Sequence, residues 1–143
     1  MSEDLAVNFL TEKLCPVVLR YSAGAEPDIL VFRHPLAGVQ LVKGTREAGE
    51  SVEAGALREL MEEAGVAGTA RRGLGASADI VAGQLWHFVL VETAPLPDDW
   101  IFDTADDGGR RFSFFWWPLT ATPGPDWHDS FVRALGHIRA SLG

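Results

Sequence analysis

The 143 residues suffice for one domain with a buried core, and at 47% hydrophobic and 22% charged they form neither a disordered nor a bilayer-embedded chain. A formal net charge of −8 excludes long DNA or RNA as a partner drawn by the overall field, although a bound divalent cation can invert the charge of a local acidic site. One cysteine, Cys15, excludes an internal disulfide framework and agrees with a reducing cytosol.

In chain order, the acidic opening MSEDLAVNFL lacks a basic-then-apolar secretion pattern. Residues 1–11 are expected as a mobile N-terminal extension of a single domain, 1–143, in the cytoplasm. Residues 13–21 read as a strand, with Pro16 pointing to an edge or an irregular start. A turn over 22–28 leads to a second strand over 29–34, and 39–42 is a short extended piece. Residues 44–50 form a loop. The clearest helix is 51–64, with Ser51 as N-cap, Glu53 in the dipole-favoured first turn and Gly65 past its end. Residues 68–82 hold two short strands, and 85–92 is a confident one. The segment 95–109 is long, acidic and turn-rich, a loop able to fold over a site. Residues 111–119 form another strand. A closing helix over 127–142 carries Phe131, Leu135, Ile138 and Leu142 on one stripe. This order predicts an α/β (α+β) domain, a mixed central sheet with helices on both faces.

The residues that carry chemistry lie within GTREAGESVEAGALRELMEEAGV, 44–66. On a helix, Glu59, Glu62 and Glu63 stand at i, i+3 and i+4 and share one face. Leu57, Leu60, Met61 and Ala64 are expected opposite, toward the core. Three crowded carboxylates repel one another, a conflict that a hard divalent cation resolves. Gly55, one turn earlier, is expected to leave room for phosphate oxygens. An acidic pair alone would be read as a solvated face. The upstream Gly44 and Glu50, together with Arg58, overturn that reading.

Gly44, Glu50, Arg58, Glu59, Leu60, Glu62, Glu63, Gly65 and Val66 occupy every defined position of the Nudix box, so the chain resembles the Nudix hydrolase family. The resemblance implies a Nudix-type α/β/α sandwich and a Mg²⁺-dependent hydrolase, with Mn²⁺ as a substitute. The reaction is attack of water on a phosphoanhydride in a nucleoside diphosphate linked to another moiety. It implies that Glu59, Glu62 and Glu63 hold metal, joined by the backbone carbonyl of Lys43, and that Arg58 pairs with Glu50 to fix the loop against the helix. These five box side chains are the candidate catalytic set; Gly44, Lys43 and Arg33 are candidate substrate contacts. Some members draw the general base from a later loop, for which Glu92, Asp98, Asp99, Asp103, Asp106 and Asp107 are candidates. The alternative is a non-catalytic nucleotide sensor on the same fold. The expected partner is a small nucleotide-type molecule, with no membrane, and a homodimer is the oligomer to test for.

The pair Lys43-Gly44 resembles the box opening of dinucleoside-polyphosphate and diphosphoinositol members, with Val42 in place of their usual proline. Residues 81–84, where substrate branches carry a signature Pro or Tyr, hold neither, and the substrate stays open. Residues 73–78 (GLGASA) lack the strand and helix that a dinucleotide fingerprint needs. Asp103 to Gly108 fails as a calcium loop at Ala105 and Phe114. His34, His87, His128 and His137 show no metal spacing and are taken as surface or packing residues. Cys15 is taken as a buried, inert thiol. Arg110 and Arg111 are further possible phosphate contacts. Among Trp86, Phe88, Trp100, Phe114, Trp116 and Trp117, most are expected in the core.

Overall fold

The computed structural model describes residues 10–105 and 108–143. Among the described residues, eight strands and two helices follow one another as β1 (Thr11–Arg20), β2 (Asp28–His34), β3 (Gly38–Gln40), β4 (Gly44–Thr45), α1 (Val52–Ala64), β5 (Thr69–Ser77), β6 (Gln84–Glu92), β7 (Trp100–Thr104), β8 (Arg110–Pro118) and α2 (Asp129–Leu142). Of the expected N-terminal extension, residues 1–9 lie outside the described residues, and Thr11 already opens β1.

The sheet runs β5-β6-β1-β2-β8-β7, with β4 on β1 and β3 on β2. It is mixed: β1 and β6 are parallel, and the other pairings are antiparallel. Alternation along the central strands divides their side chains between two cores. Val18, Leu30 and Phe32 join Ala56, Leu60 and Ala64 of α1. Cys15, Val17, Ile29 and Val31 join Phe131, Ala134, Leu135 and Ile138 of α2. The result is a three-layer α/β/α sandwich, the mixed sheet covered on both faces.

β1 is central rather than an edge strand. It meets β6 from Thr11 to Val18, but its other side meets β4 only at Lys13 and Leu14 and β2 only at Leu19 and Arg20. Pro16 falls between those two registers, where that side of β1 has no partner in register among the described residues, a position at which a proline without an N–H is tolerated. The same divergence of β1 from β2 opens the crevice described below.

α1 begins and ends as its sequence dictates. The Ser51 side chain accepts the Ala54 N–H at 3.0 Å, and Gly65 adopts φ 70° while its N–H reaches Met61 O at 3.0 Å. Met61, expected in the core, is 47% exposed; the buried stripe is Gly55, Ala56, Glu59, Leu60 and Ala64. The stripe is rotated because Gly55 and Ala56 let the first turns approach the sheet closely. Where two short strands were expected, β5 is one strand, interrupted by irregular pairing with β6 between Ala70 and Arg72 and between Gly73 and Ala76.

The segment 95–109 is not a free lid. It contains β7, which pairs with β8. Trp100 Nε1 donates to Ala64 O at 3.2 Å and Thr104 Oγ1 to Glu62 O at 2.7 Å. β7 thus satisfies carbonyls that the last turn of α1 leaves open. The closing helix starts at Asp129, two residues later than the expected 127. His128 Nδ1 caps it by accepting the Ser130 N–H at 3.1 Å, and Trp127 is buried against Trp117.

Candidate active site

Where β1 and β2 separate, a cavity of about 450 Å³ opens, lined by Lys13, Phe32, His34, Gln40, Lys43, Gly44, Thr45, Glu59, Glu63 and Phe112. It lies at the box helix and takes side chains from both halves of the sheet. Phe32 and Phe112 stack at 4.2 Å between ring centroids and form its apolar floor, each nearly fully buried.

Glu59 lies against the backbone of Gly44. A Cβ at Gly44 would overlap the Glu59 carboxylate, so the glycine makes a cradle that the carboxylate fills. Glu59 is only 4% exposed. Burying a carboxylate so far is costly unless it is paired, and Arg58 Nη1 supplies a hydrogen bond to Glu59 Oε1 at 2.7 Å. One turn on, Glu63 Oε1 accepts the Lys43 N–H at 3.4 Å. Glu59 and Glu63 therefore share the cavity with Lys43. Glu62 does not line it; its Oε1 accepts from Arg58 Nη1 at 3.0 Å.

Arg58 joins the loop to the helix. Its Nε and Nη2 hold Glu50 Oε2 and Oε1 at 2.9 and 2.6 Å, and Nη2 also reaches Thr45 O at 3.1 Å. Glu47 N–H donates to Glu50 Oε1 at 2.8 Å, and Arg46 Nε donates to Glu50 O at 3.0 Å. The Arg58 fork, with the Glu47 N–H next, holds the Glu50 carboxyl down at a pKa of about 2, and Glu50 in return raises that of Arg58. Gly55 does not leave room for phosphate oxygens: the space beside it is taken by Leu14 and the Glu50 carboxylate.

Several other expected residues stand elsewhere. Arg33 pairs with Asp126 at 2.6 Å and does not line the cavity. Among the later carboxylates, Glu92 pairs with Arg71, Asp98 with Arg20 and Asp103 with Arg111. None of these, nor Asp99, lines the cavity, and Asp106 and Asp107 lie outside the described residues. Arg111 is engaged by Asp103, and Arg110 does not line the cavity. Cys15 is fully buried, which pushes its thiol pKa far above the usual value. Lys13 and His34 line the cavity although the sequence marked neither as a site residue. Pairing of Lys13 with Thr45 across β1 and β4 was the missing signal.

Among the described residues no group of three His, Cys, Asp or Glu side chains is gathered closely enough to hold a metal ion. Mg²⁺ does not need such a cage. One or two carboxylates suffice when water and substrate phosphates complete its shell. The hard oxygen donors of Glu59, seated in the Gly44 cradle, and of Glu63, beside the Lys43 backbone, fit that requirement.

The family model for the NUDIX domain matches residues 16–135, and the chain belongs to that family. Nudix hydrolases generally use a divalent metal. Comparison with curated protein sequences gives no match. Among solved structures, the NUDIX domain of Shewanella oneidensis NrtR, complexed with ADP ribose, is similar over 100% of this chain and 99% of its own, with TM-score 0.66 and 15% identity. The Nudix hydrolase RenU from M. smegmatis is similar over 92% of this chain and 85% of its own, with TM-score 0.63 and 17% identity. An ADP-ribose pyrophosphatase from Streptococcus suis covers 93% and 92%, with TM-score 0.59 and 16% identity. These likenesses show the fold.

Proposed function

We propose that the chain is a Mg²⁺-dependent hydrolase that cuts a phosphoanhydride bond in a nucleoside diphosphate linked to another moiety. The observation that carries this reading is the placement of Glu59 and Glu63 in one cavity, beside the Lys43 backbone and the Gly44 cradle. One neighbour named as an ADP-ribose pyrophosphatase and another complexed with ADP ribose support a small nucleotide-type substrate. A single domain working in the cytoplasm belongs to the same proposal, with Mn²⁺ as a substitute metal.

Glu59 and Glu63, with the Lys43 carbonyl, would hold the divalent ion, and Glu62, which Arg58 engages at 3.0 Å, would complete the set if it left that partner. The ion, when bound, neutralises phosphoryl oxygens and makes water more acidic. The chain does the rest. Arg58 and Glu50 keep the loop and helix in register, so that the carboxylates meet the diphosphate at a fixed spacing. Water attacks one phosphorus, the anhydride P–O bond breaks toward the leaving phosphate, and a box glutamate takes the proton. The base is assigned to the box because none of the described later carboxylates faces the cavity.

The test is a panel of nucleoside diphosphate derivatives with Mg²⁺, run on the wild type and Glu63→Gln. Phosphate-bearing products from the wild type and loss of nearly all turnover in the variant are expected. Full turnover in Glu63→Gln would remove the site assignment. One observation favours the other reading, nucleotide binding without turnover: Arg58 Nη1 engages both Glu59 and Glu62. Tight nucleotide binding with no product from any compound would establish that reading.

A further inference from the structure

The cavity that holds Glu59 and Glu63 also presents hydrogen-bond donors. Lys13 stands opposite Thr45 in the β1–β4 register, and its Nζ donates to Thr45 Oγ1 at 2.8 Å. Lys43 lines the same cavity, as do His34 and Gln40. The Leu36 N–H donates to His34 Nδ1 at 3.0 Å, so the neutral imidazole carries its proton on Nε2, a donor.

Lys13 is held there against an opposing force. Burial first, then the neighbouring Lys43 ammonium, draws its pKa below the usual lysine value, while Glu59 and Glu63 push it back up. The Thr45 hydroxyl is a neutral partner and answers one of three ammonium N–H groups. Glu59 and Glu63, which line the same cavity, are the negative groups that support the Lys13 ammonium. A divalent ion on those carboxylates consumes that support. Both lysines then face a site of net positive charge, which a multiply charged anion between them and the metal relieves.

We propose that Lys13, acting with Lys43, is a substrate-binding residue that holds the diphosphate oxygens turned away from Glu59 and Glu63. The proposal rests on the hydrolase reading above. It separates two tasks between two walls: α1 binds the ion, and the Lys13 end of β1 sets where the phosphorus sits.

The experiment titrates methylenediphosphonate, a non-hydrolysable P–C–P diphosphate, into protein with Mg²⁺ by calorimetry, for wild type, Lys13→Gln and Lys13→Arg. Thermal unfolding of each checks the fold, and Mn²⁺ affinity without the diphosphonate is measured by paramagnetic resonance. Lys13→Gln is expected to weaken diphosphonate binding about tenfold or more, as loss of a charged hydrogen bond does. Lys13→Arg should restore it to within about threefold, and Mn²⁺ affinity in Lys13→Gln should stay equal or become tighter. Wild-type diphosphonate affinity in Lys13→Gln would overturn the assignment and leave the hydrolase reading standing. Loss of Mn²⁺ affinity in that variant would overturn it too, since Lys13 would then act through the carboxylates. Failure of the wild type to bind the diphosphonate at all would overturn both.

Discussion

Arg58 grips Glu50 with two parallel hydrogen bonds, of 2.9 and 2.6 Å, and extends its remaining nitrogen to Glu59 at 2.7 Å. One guanidinium therefore sets both the loop and the most buried carboxylate of the site. Lysine keeps the charge but has no fork. Arg58→Lys should lower Mn²⁺ affinity or turnover by about 10- to 100-fold, the usual effect of losing a group that orients a metal ligand. Mn²⁺ titration and steady-state kinetics check this, and wild-type values in both would show that the fork is dispensable.

The same pair predicts a pH dependence. The folded Glu50 carboxyl, at a pKa of about 2, lies below the 4.5 of an ordinary glutamate. A depressed carboxylate stabilises the fold fully above its unfolded value and loses that contribution as pH falls through its folded value. The stability difference between wild type and Glu50→Gln, from urea unfolding, should be constant above about pH 5 and shrink steadily toward pH 2. Other depressed acids, such as Asp126 and Asp103, are common to both proteins and cancel in that difference. A difference that does not vary with pH would mean that Glu50 is not held by Arg58 in solution.

Local signals in the sequence were reliable where the physics is local. Ser51 and Gly65 bound α1 because capping involves only a few neighbouring residues. The resemblance to the Nudix box implies that Arg58 pairs with Glu50, and the two side chains meet. What was hidden depended on partners distant in the chain. Pro16 reads as an edge residue until β1 is seen to lose one neighbour midway. Residues 95–109 read as a lid because the carbonyls of Glu62 and Ala64 that receive Thr104 and Trp100 cannot be seen from composition. Met61 fits the apolar period of α1, but the close approach at Gly55 turns the helix away from it. Lys13 looked like the start of a strand; only the β1–β4 register makes it a wall of the site.

Gly65 serves two purposes that one substitution tests together. Its φ of 70° is unfavourable for any residue with a Cβ, and a Cβ there would come within 2.6 Å of the Phe102 ring. Gly65→Ala should cost about 1–3 kcal/mol from the backbone term and the displaced ring. Denaturant unfolding measures it. A loss below about 0.5 kcal/mol would mean that β7 moves freely against α1, contrary to the hydrogen bonds from Trp100 and Thr104.

Gly44 offers the sharpest separation of fold from site. It lies in the two-residue β4, opposite Leu14, and its φ is not in the left-handed region. Alanine therefore suits the backbone, and neither large core contains the position. The added Cβ would nevertheless occupy the space of the Glu59 carboxylate. Glu59 has little freedom to yield, being buried and tied to Arg58 on one side. It must swing out of the cradle, taking one of the two cavity carboxylates away from Glu63 and Lys43. Gly44→Ala should leave the protein folded, with some loss of stability from displacing Glu59, while lowering Mn²⁺ affinity and turnover by about a hundredfold, the scale set by displacing a group that must be held to within a fraction of an ångström. Mn²⁺ titration, kinetics on the panel substrate and thermal unfolding together read the result. Full activity in Gly44→Ala would mean that Glu59 does not work from the cradle, and the metal set would have to be rebuilt around Glu62 and Glu63.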